Sequence, residues 1–255
     1  MLRDAWRLAL GTLTALPVKP PALVDPRRAG TAMVLAPLAV VPLALAVAVI
    51  IVIGHWVGFS SLVVALLAIA GLALGNRGFH LDGLSDVADG LAASYDRERS
   101  LAVMKTGTSG PAGVVAVVLT LGLQVAGLVG VLSHADVWRA AAVAGLAVCV
   151  SRLALAVCCV RRVPPARPDG LGTTYTQIVA PGVTAILWLL SATLLALVGR
   201  WAGLEWWRGA AACLVALVVV GVVVARAVRR FGGVTGDVFG ATVELALTAL
   251  LVVMS

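Results

Sequence analysis

The sequence predicts an all-α protein, a polytopic membrane helix bundle of about seven transmembrane helices preceded by an interfacial helix. Three observations carry this reading. The chain is 61% hydrophobic and only 12% charged, with a mean hydropathy of +1.07, more apolar surface than a soluble domain of 255 residues can bury. The apolar residues form seven long runs, near 32–54, 61–79, 111–133, 138–160, 178–198, 209–226 and 238–254. Finally, the basic residues stand mostly between the runs. In hydrocarbon each backbone amide must be satisfied inside its own segment, so such runs are helices.

Each element follows from local sequence. Residues 1–20 lack the continuous apolar core and small-residue cleavage site of a signal peptide, and read as an amphipathic helix at the membrane surface with Trp6 as an anchor. Most linkers between runs are brief; 80–109 and 161–177 are the long ones, so residues 1–255 form one integral membrane domain. With the N-terminus inside, fifteen of the 19 Lys and Arg fall in inside loops and three (Arg139, Arg200, Arg208) outside, while Arg152 lies within a span. This asymmetry predicts a cytoplasmic N-terminus and an external C-terminus. It also accounts for the net charge of +7 without nucleic acid, leaving membrane lipid as the surrounding partner. Trp201, Trp206 and Trp207 in one outside loop suit an aromatic belt. The four cysteines lie in apolar runs without metal-site spacing and read as small packing residues.

Chemistry concentrates in four cytoplasmic stretches. Residues 80–90, HLDGLSDVADG, place Asp82, Asp86 and Asp89 at i, i+4 and i+7, one face of a helix. Stacked carboxylates repel, and no basic i+4 partners accompany them; a hard divalent cation, Mg²⁺ or Mn²⁺, reverses the sign. Residues 229–244, RRFGGVTGDVFGATVE, carry Asp237 and Glu244 on a second face, Glu244 inside an apolar run where an ionisable group is expensive without a function. Gly232, Gly233, Thr235 and Gly236 before them can bare N–H groups to an anion. Residues 160–172 offer Arg161, Arg162 and Arg167 as phosphate ligands, Arg167 the best placed, set among prolines and glycines. Residues 104–113, MKTGTSGPAG, add Lys105 and a possible phosphate-cradling turn. His80 is a candidate ligand or proton carrier, and Arg152 either pairs with a carboxylate or points at the site.

HLDGLSDVADG, PPARPDGLG and GGVTGDVFGATVE, in this order on a seven-span chain, resemble the cobalamin synthase family, adenosylcobinamide-GDP ribazoletransferase. The resemblance covers nearly the whole chain. It implies a bacterial inner-membrane enzyme with its site on the cytoplasmic side. That enzyme joins adenosylcobinamide-GDP to α-ribazole or its 5′-phosphate, releases GMP and needs Mg²⁺. Carried over, the family's acidic motif falls on Asp82, Asp86 and Asp89, with Gly83 and Gly90; its C-terminal motif falls on Gly232, Gly233, Thr235, Gly236, Asp237 and Glu244. The chain departs at Thr106-Gly107-Thr108, where many members carry an acid, which puts that acid's role in doubt here. The residues suit the chemistry independently: attack of a ribose hydroxyl on a diphosphate needs neutralised phosphate charge, an activated hydroxyl and a stabilised leaving group. Mg²⁺ on the aspartates would serve the first and third needs, and a carboxylate such as Asp89 could take the proton. Substrate contacts are then expected from His80, Lys105, Arg152 and Arg167. Two alternatives stay open at this point, a CDP-alcohol phosphotransferase of lipid synthesis and a cation transporter. The full Asp-x-x-Asp-Gly-x-x-Ala-Arg run of the former is broken at Ala93 and Ser94.

Overall fold

The computed structural model describes residues 1–168 and 171–255; Asp169 and Gly170 of the arginine-containing motif lie outside the described residues. The helices run in chain order as α1 (Leu2–Leu13), α2 (Pro26–Ala39), α3 (Val41–Trp56), α4 (Ser61–Gly75), α5 (Phe79–Ala93), α6 (Arg97–Val103), α7 (Pro111–His134), α8 (Val137–Ser151), α9 (Leu153–Cys158), α10 (Leu171–Tyr175), α11 (Pro181–Trp201), α12 (Arg208–Phe231) and α13 (Gly236–Met254). No strand occurs among the described residues; there are two isolated bridges, Val160 with Val179 and Pro165 with Val234.

Six stretches are long and apolar enough to cross a membrane, and a seventh arises if α4 and α5 are taken as one bent span. The predicted spans are therefore found, with differences that have local causes. The first is α2 plus α3, 31 residues broken at Val40, where Pro42 in the first turn of α3 lacks the N–H that would continue the ladder. The fourth is α8 plus α9, broken at Arg152, where the bonds tighten to Arg152 N–Cys149 O (3.2 Å) and Leu155 N–Arg152 O (3.1 Å). The expected span 61–79 stops at Gly75, and the chain turns by 89° into α5. Arg77 (φ 61°) and Gly78 (φ 70°) make that turn in the left-handed region, and the Asn76 side chain accepts the Gly78 N–H at 3.0 Å.

Burial sorts the helices into an inner pair and an outer ring. The α13 and α8–α9 spans are 72% and 78% buried, against 22–39% for the other four. The inner helices carry small residues where others cross, among them Ala241, Ala246, Ala144 and Ala147. Outer helices leave Leu66, Leu119, Leu189, Leu197 and Val222 exposed, as residues facing lipid chains are. Trp56, Trp138, Trp201, Trp206 and Trp207 gather at one end, Trp56 edge-on to Trp138 and Arg139 over Trp201. α5, α6 and the N-termini of α7 and α13 meet at the other end. The surface helix α1 lies there too, tied to α2 by an Arg28–Asp4 pair at 3.3 Å and burying Ala5, Ala9 and Leu13.

Candidate active site

The acidic motif forms α5 as its spacing requires, but its three aspartates meet different surroundings. Asp82 is exposed, Asp86 half-buried and Asp89 buried. The depth of Asp89 comes from a specific partner. Its carboxylate accepts the backbone N–H groups of Gly110 (2.6 Å) and Gly113 (2.8 Å), so it caps α7, whose own N-cap residue Gly110 has no side chain to do so. A Cβ at Gly113 would lie 2.4 Å from Asp89 Oδ2 and 2.2 Å from Ser85 Oγ, so only glycine fits. The turn that read as a phosphate cradle therefore already holds an anion, the chain's own Asp89. Lys105 and Thr106 on the same loop are exposed, and the Thr106 hydroxyl donates to Val103 O at 2.8 Å.

The C-terminal motif meets α5 backbone to backbone. A Cβ on Gly83 would stand 2.6 Å from Asp237 O, and one on Gly240 would stand 2.9 Å from His80 Cα. Small residues at both crossings bring Asp237 beside Asp82 and Asp86. Thr235 caps α13 by accepting the Val238 N–H (3.4 Å) and donates to Asp237 Oδ2 (3.1 Å). Gly232, at φ 76°, ends α12 in the left-handed conformation and packs on Arg97. Gly233 passes against Pro164, and the paired bonds Val234 N–Pro164 O and Ala166 N–Val234 O, both 3.0 Å, clip the arginine motif to the glycine motif. That clip places Arg167 within electrostatic reach of Asp237, while its guanidinium donates to Leu101 O at 2.6 Å. Gly236 and Asp237 line the cleft described below.

Four aspartates thus share one mouth of the bundle, where Asp86 feels Asp237, Asp82 and Asp89. α5 is not itself one of the six spans, and burial together with these neighbours pushes the Asp86 carboxyl up to about 6. Among the described residues no three His, Cys, Asp or Glu side chains converge on a single point. A Mg²⁺ site needs no such closure, since that ion keeps several waters and takes one or two carboxylates plus substrate phosphate. Crowded oxygen donors with no basic side chain in ion-pair contact, among the described residues, fit such an ion.

Glu244 belongs to a second group. It accepts from Gln124 Nε2 at 2.8 Å, and its other oxygen faces His80 Nδ1 at 3.7 Å. Arg152, fully buried, acts on it from the break between α8 and α9. The Arg152 Nη1 donates to Val148 O and Ser151 Oγ, whereas its Nε and Nη2 find no partner among the described residues. Arg152 is thus within electrostatic reach of Glu244, with no ion-pair contact to a carboxylate among the described residues. His80 joins the groups: it lines the cleft, and its Nδ1 also meets Asn76 Nδ2 at 3.4 Å.

The cleft has a volume of about 250 Å³ and runs between α1, α5, α10 and α13. Asp82, Asp237 and His80 line it together with Phe79, Tyr175 and Phe239. A larger hollow of about 650 Å³ lies at the tryptophan end and contains none of the four aspartates. Several site residues had no useful signal in the sequence. Tyr175 and the α1 residues enter only through tertiary packing. Gln124, a lone amide in a 24-residue apolar helix, offered a signal of the kind that singled out Glu244.

A helical, multi-pass membrane protein with carboxylates gathered at one mouth of its bundle is the class that fold and site define. The family model described as Cobalamin-5-phosphate synthase matches residues 5–255. The chain belongs to that family, transferases of cobalamin biosynthesis. It is similar to an adenosylcobinamide-GDP ribazoletransferase of Nocardioides sp., 51% identical over 98% of this chain and 97% of the relative. Proteins of the same name from Frankia casuarinae (36% identical, 98% of this chain and 93% of the relative) and Pseudomonas aeruginosa (35%, 100% of both) also match. No solved structure matches the chain.

Proposed function

We propose that the chain catalyses Mg²⁺-dependent transfer of adenosylcobinamide phosphate from adenosylcobinamide-GDP to α-ribazole or its 5′-phosphate, releasing GMP. The acceptor's ribose hydroxyl forms the new P–O bond, the bond to the GMP phosphate breaks, and the hydroxyl proton leaves. The observation that carries this reading is the meeting of Asp82, Asp86, Asp89 and Asp237 at one mouth, on a chain whose relatives bear the ribazoletransferase name. Asp86 and Asp237 would hold the Mg²⁺, which when bound neutralises diphosphate charge and favours the departing phosphate. Asp82, exposed on the cleft wall, is placed to take the hydroxyl proton. Asp89 acts as a positioning residue, locking α5 to the start of α7. Arg167 supplies positive charge beside Asp237 for the substrate phosphates. The excess of basic residues in the loops at this mouth supports an active site on the cytoplasmic side of the inner membrane.

The test is an assay of purified membranes with adenosylcobinamide-GDP and α-ribazole, with and without Mg²⁺. Equimolar GMP and corrinoid product, formed only with the cation, are expected. Absence of GMP release in Mg²⁺ would overturn the assignment.

A further inference from the structure

The cleft beside the aspartates has a composition of its own. Its inner wall is made by Leu13 of α1, Met33 of α2, Leu155 of α9, Tyr175 of α10 and Phe239 of α13, each less than a tenth exposed. The polar groups Asp82 and Asp237 stand on the same cleft. A ligand here would be apolar and aromatic at one end and would present its polar end to the carboxylates.

The α1 wall is secured by several bonds. The Arg77 guanidinium donates to Gly11 O (2.7 Å) and Thr14 O (3.1 Å), the last carbonyls of α1, and Ala15 N donates to Gly75 O at 2.7 Å. The Tyr175 hydroxyl is hydrogen-bonded to Thr12. The left-handed turn at Arg77 aims its side chain back at α1, and its guanidinium lies 5.0 Å from the centre of the Phe79 ring. A surface helix needed only as an anchor would not require these ties to the turn that begins the acidic helix.

Size narrows the occupant. At about 250 Å³ the cleft is smaller than the roughly 300–1,000 Å³ pockets that enclose drug-sized ligands, far too small for a corrin ring. Three flat bases are available in the reaction, the guanine and the adenine of the donor and the base of the acceptor nucleoside. Guanine and adenine carry several hydrogen-bonding groups along their edges, and burying them among Leu13, Met33 and Leu155 would leave them unpaired. The methylated benzimidazole of the acceptor carries a single ring-nitrogen acceptor and otherwise buries apolar carbon.

We propose that this cleft is the subsite for the aromatic base of the acceptor nucleoside, with the N-terminal surface helix as one of its walls. The inference rests on the transferase reading above. It assigns α1 a role in substrate selection and directs the acceptor's ribose to Asp82 and Asp237.

The experiment uses the full chain in phospholipid nanodiscs and measures KM for α-ribazole and for adenosylcobinamide-GDP separately, each at saturating co-substrate. Leu155→Phe fills the cleft and is expected to raise the α-ribazole KM about tenfold or more, with the donor KM changed less than about twofold. Met33→Ala opens it and is expected to improve kcat/KM for a riboside of a bulkier tricyclic base about tenfold relative to α-ribazole. A rise in the donor KM instead of the acceptor KM, or an unaltered base-size preference in Met33→Ala, would overturn the proposal. Should Leu155→Phe not fold, the Met33→Ala preference decides alone. A wild-type chain inactive with both substrates would refute the transferase reading, a different failure from an active enzyme whose selectivity ignores the cleft.

Discussion

Replacing Asp86 by Asn tests the cation mechanism most sharply, because structure and activity should respond with opposite signs. The Asp86 carboxyl is raised from 3.8 to about 6 by burial, then by Asp237, Asp82 and Asp89. That is an about hundredfold gain in proton affinity, produced first by burial and then by the neighbours a divalent cation would neutralise. A group whose folded value is raised binds its proton more tightly in the native state. Ionised Asp86 therefore costs stability in the metal-free protein, a cost that grows as pH rises from about 4 and is complete above about 6. Asn keeps the volume and removes the charge, so the metal-free Asp86→Asn protein should melt higher than wild type at pH 7.5. Its turnover should fall about 10²–10³-fold, the usual loss on removing one electrostatic stabiliser. If Asp86 holds Mg²⁺ as proposed, the cation competes there with the proton, so the apparent Mg²⁺ affinity of the wild type should weaken as pH drops below about 6. GMP release from nanodiscs across a Mg²⁺ titration and thermal unfolding in chelator read both effects. Asp96→Asn is the control, since Asp96 caps α6 by accepting the Arg99 N–H at 2.8 Å and Asn caps equally well. Near-normal turnover of Asp86→Asn at limiting Mg²⁺, or a lowered melting point without metal, would refute the reasoning.

Four further outcomes are expected. Gly83→Ala puts a Cβ 2.6 Å from the Asp237 carbonyl, so α5 and α13 must part at about 1–3 kcal/mol; its melting point and activity should fall together, unlike Gly122→Ala, which meets nothing within 4 Å. Asp89→Ala strips the acceptor from the Gly110 and Gly113 amides at the start of α7, and thermal unfolding should register a loss of about 1–3 kcal/mol per amide left buried. Glu244→Gln removes a buried negative charge within electrostatic reach of buried Arg152 and should lower the melting point, with part of the loss recovered in the double variant with Arg152→Met. Single cysteines at Tyr95 and Glu98 should react with impermeant thiol reagents only from the cytoplasm, and one at Glu205 only from outside; the reverse pattern would invert the topology.

The spans and the helix over the acidic motif were legible because their signals are local. Apolar length and an i, i+4, i+7 face require no knowledge of neighbours. The full-length family match also removes the lipid-synthesis and transporter alternatives. The bend at Arg77–Gly78 was hidden because Arg at φ 61° is held by what its guanidinium meets on α1, a contact 66 residues away. The role of Asp89 was hidden likewise, since nothing in its own motif announces that α7 begins on a glycine in need of a cap.

Asp237 and Glu244 share one face of α13 yet fall in separate groups, for a geometric reason that applies to any membrane bundle. Residues seven apart share the azimuth of a helix, but they differ by about 10 Å along its axis. On α13, which crosses the membrane, that rise is depth: Asp237 stays at the mouth while Glu244 descends to Gln124 and Arg152. A Mg²⁺ ion binds its ligands at about 2 Å, so one ion cannot bridge the two without the helix breaking. α5 turns 89° from α4 at the same mouth, and Asp237 reaches its middle at Gly83. Asp86, one turn beyond Gly83, then feels Asp237 more than it feels Asp82 or Asp89. The same spacing thus yields a cluster where a helix lies across the mouth and two separate groups where a helix runs through the bundle. His80 stands between the two groups, lining the cleft with Asp82 and Asp237 and facing Glu244 with Nδ1.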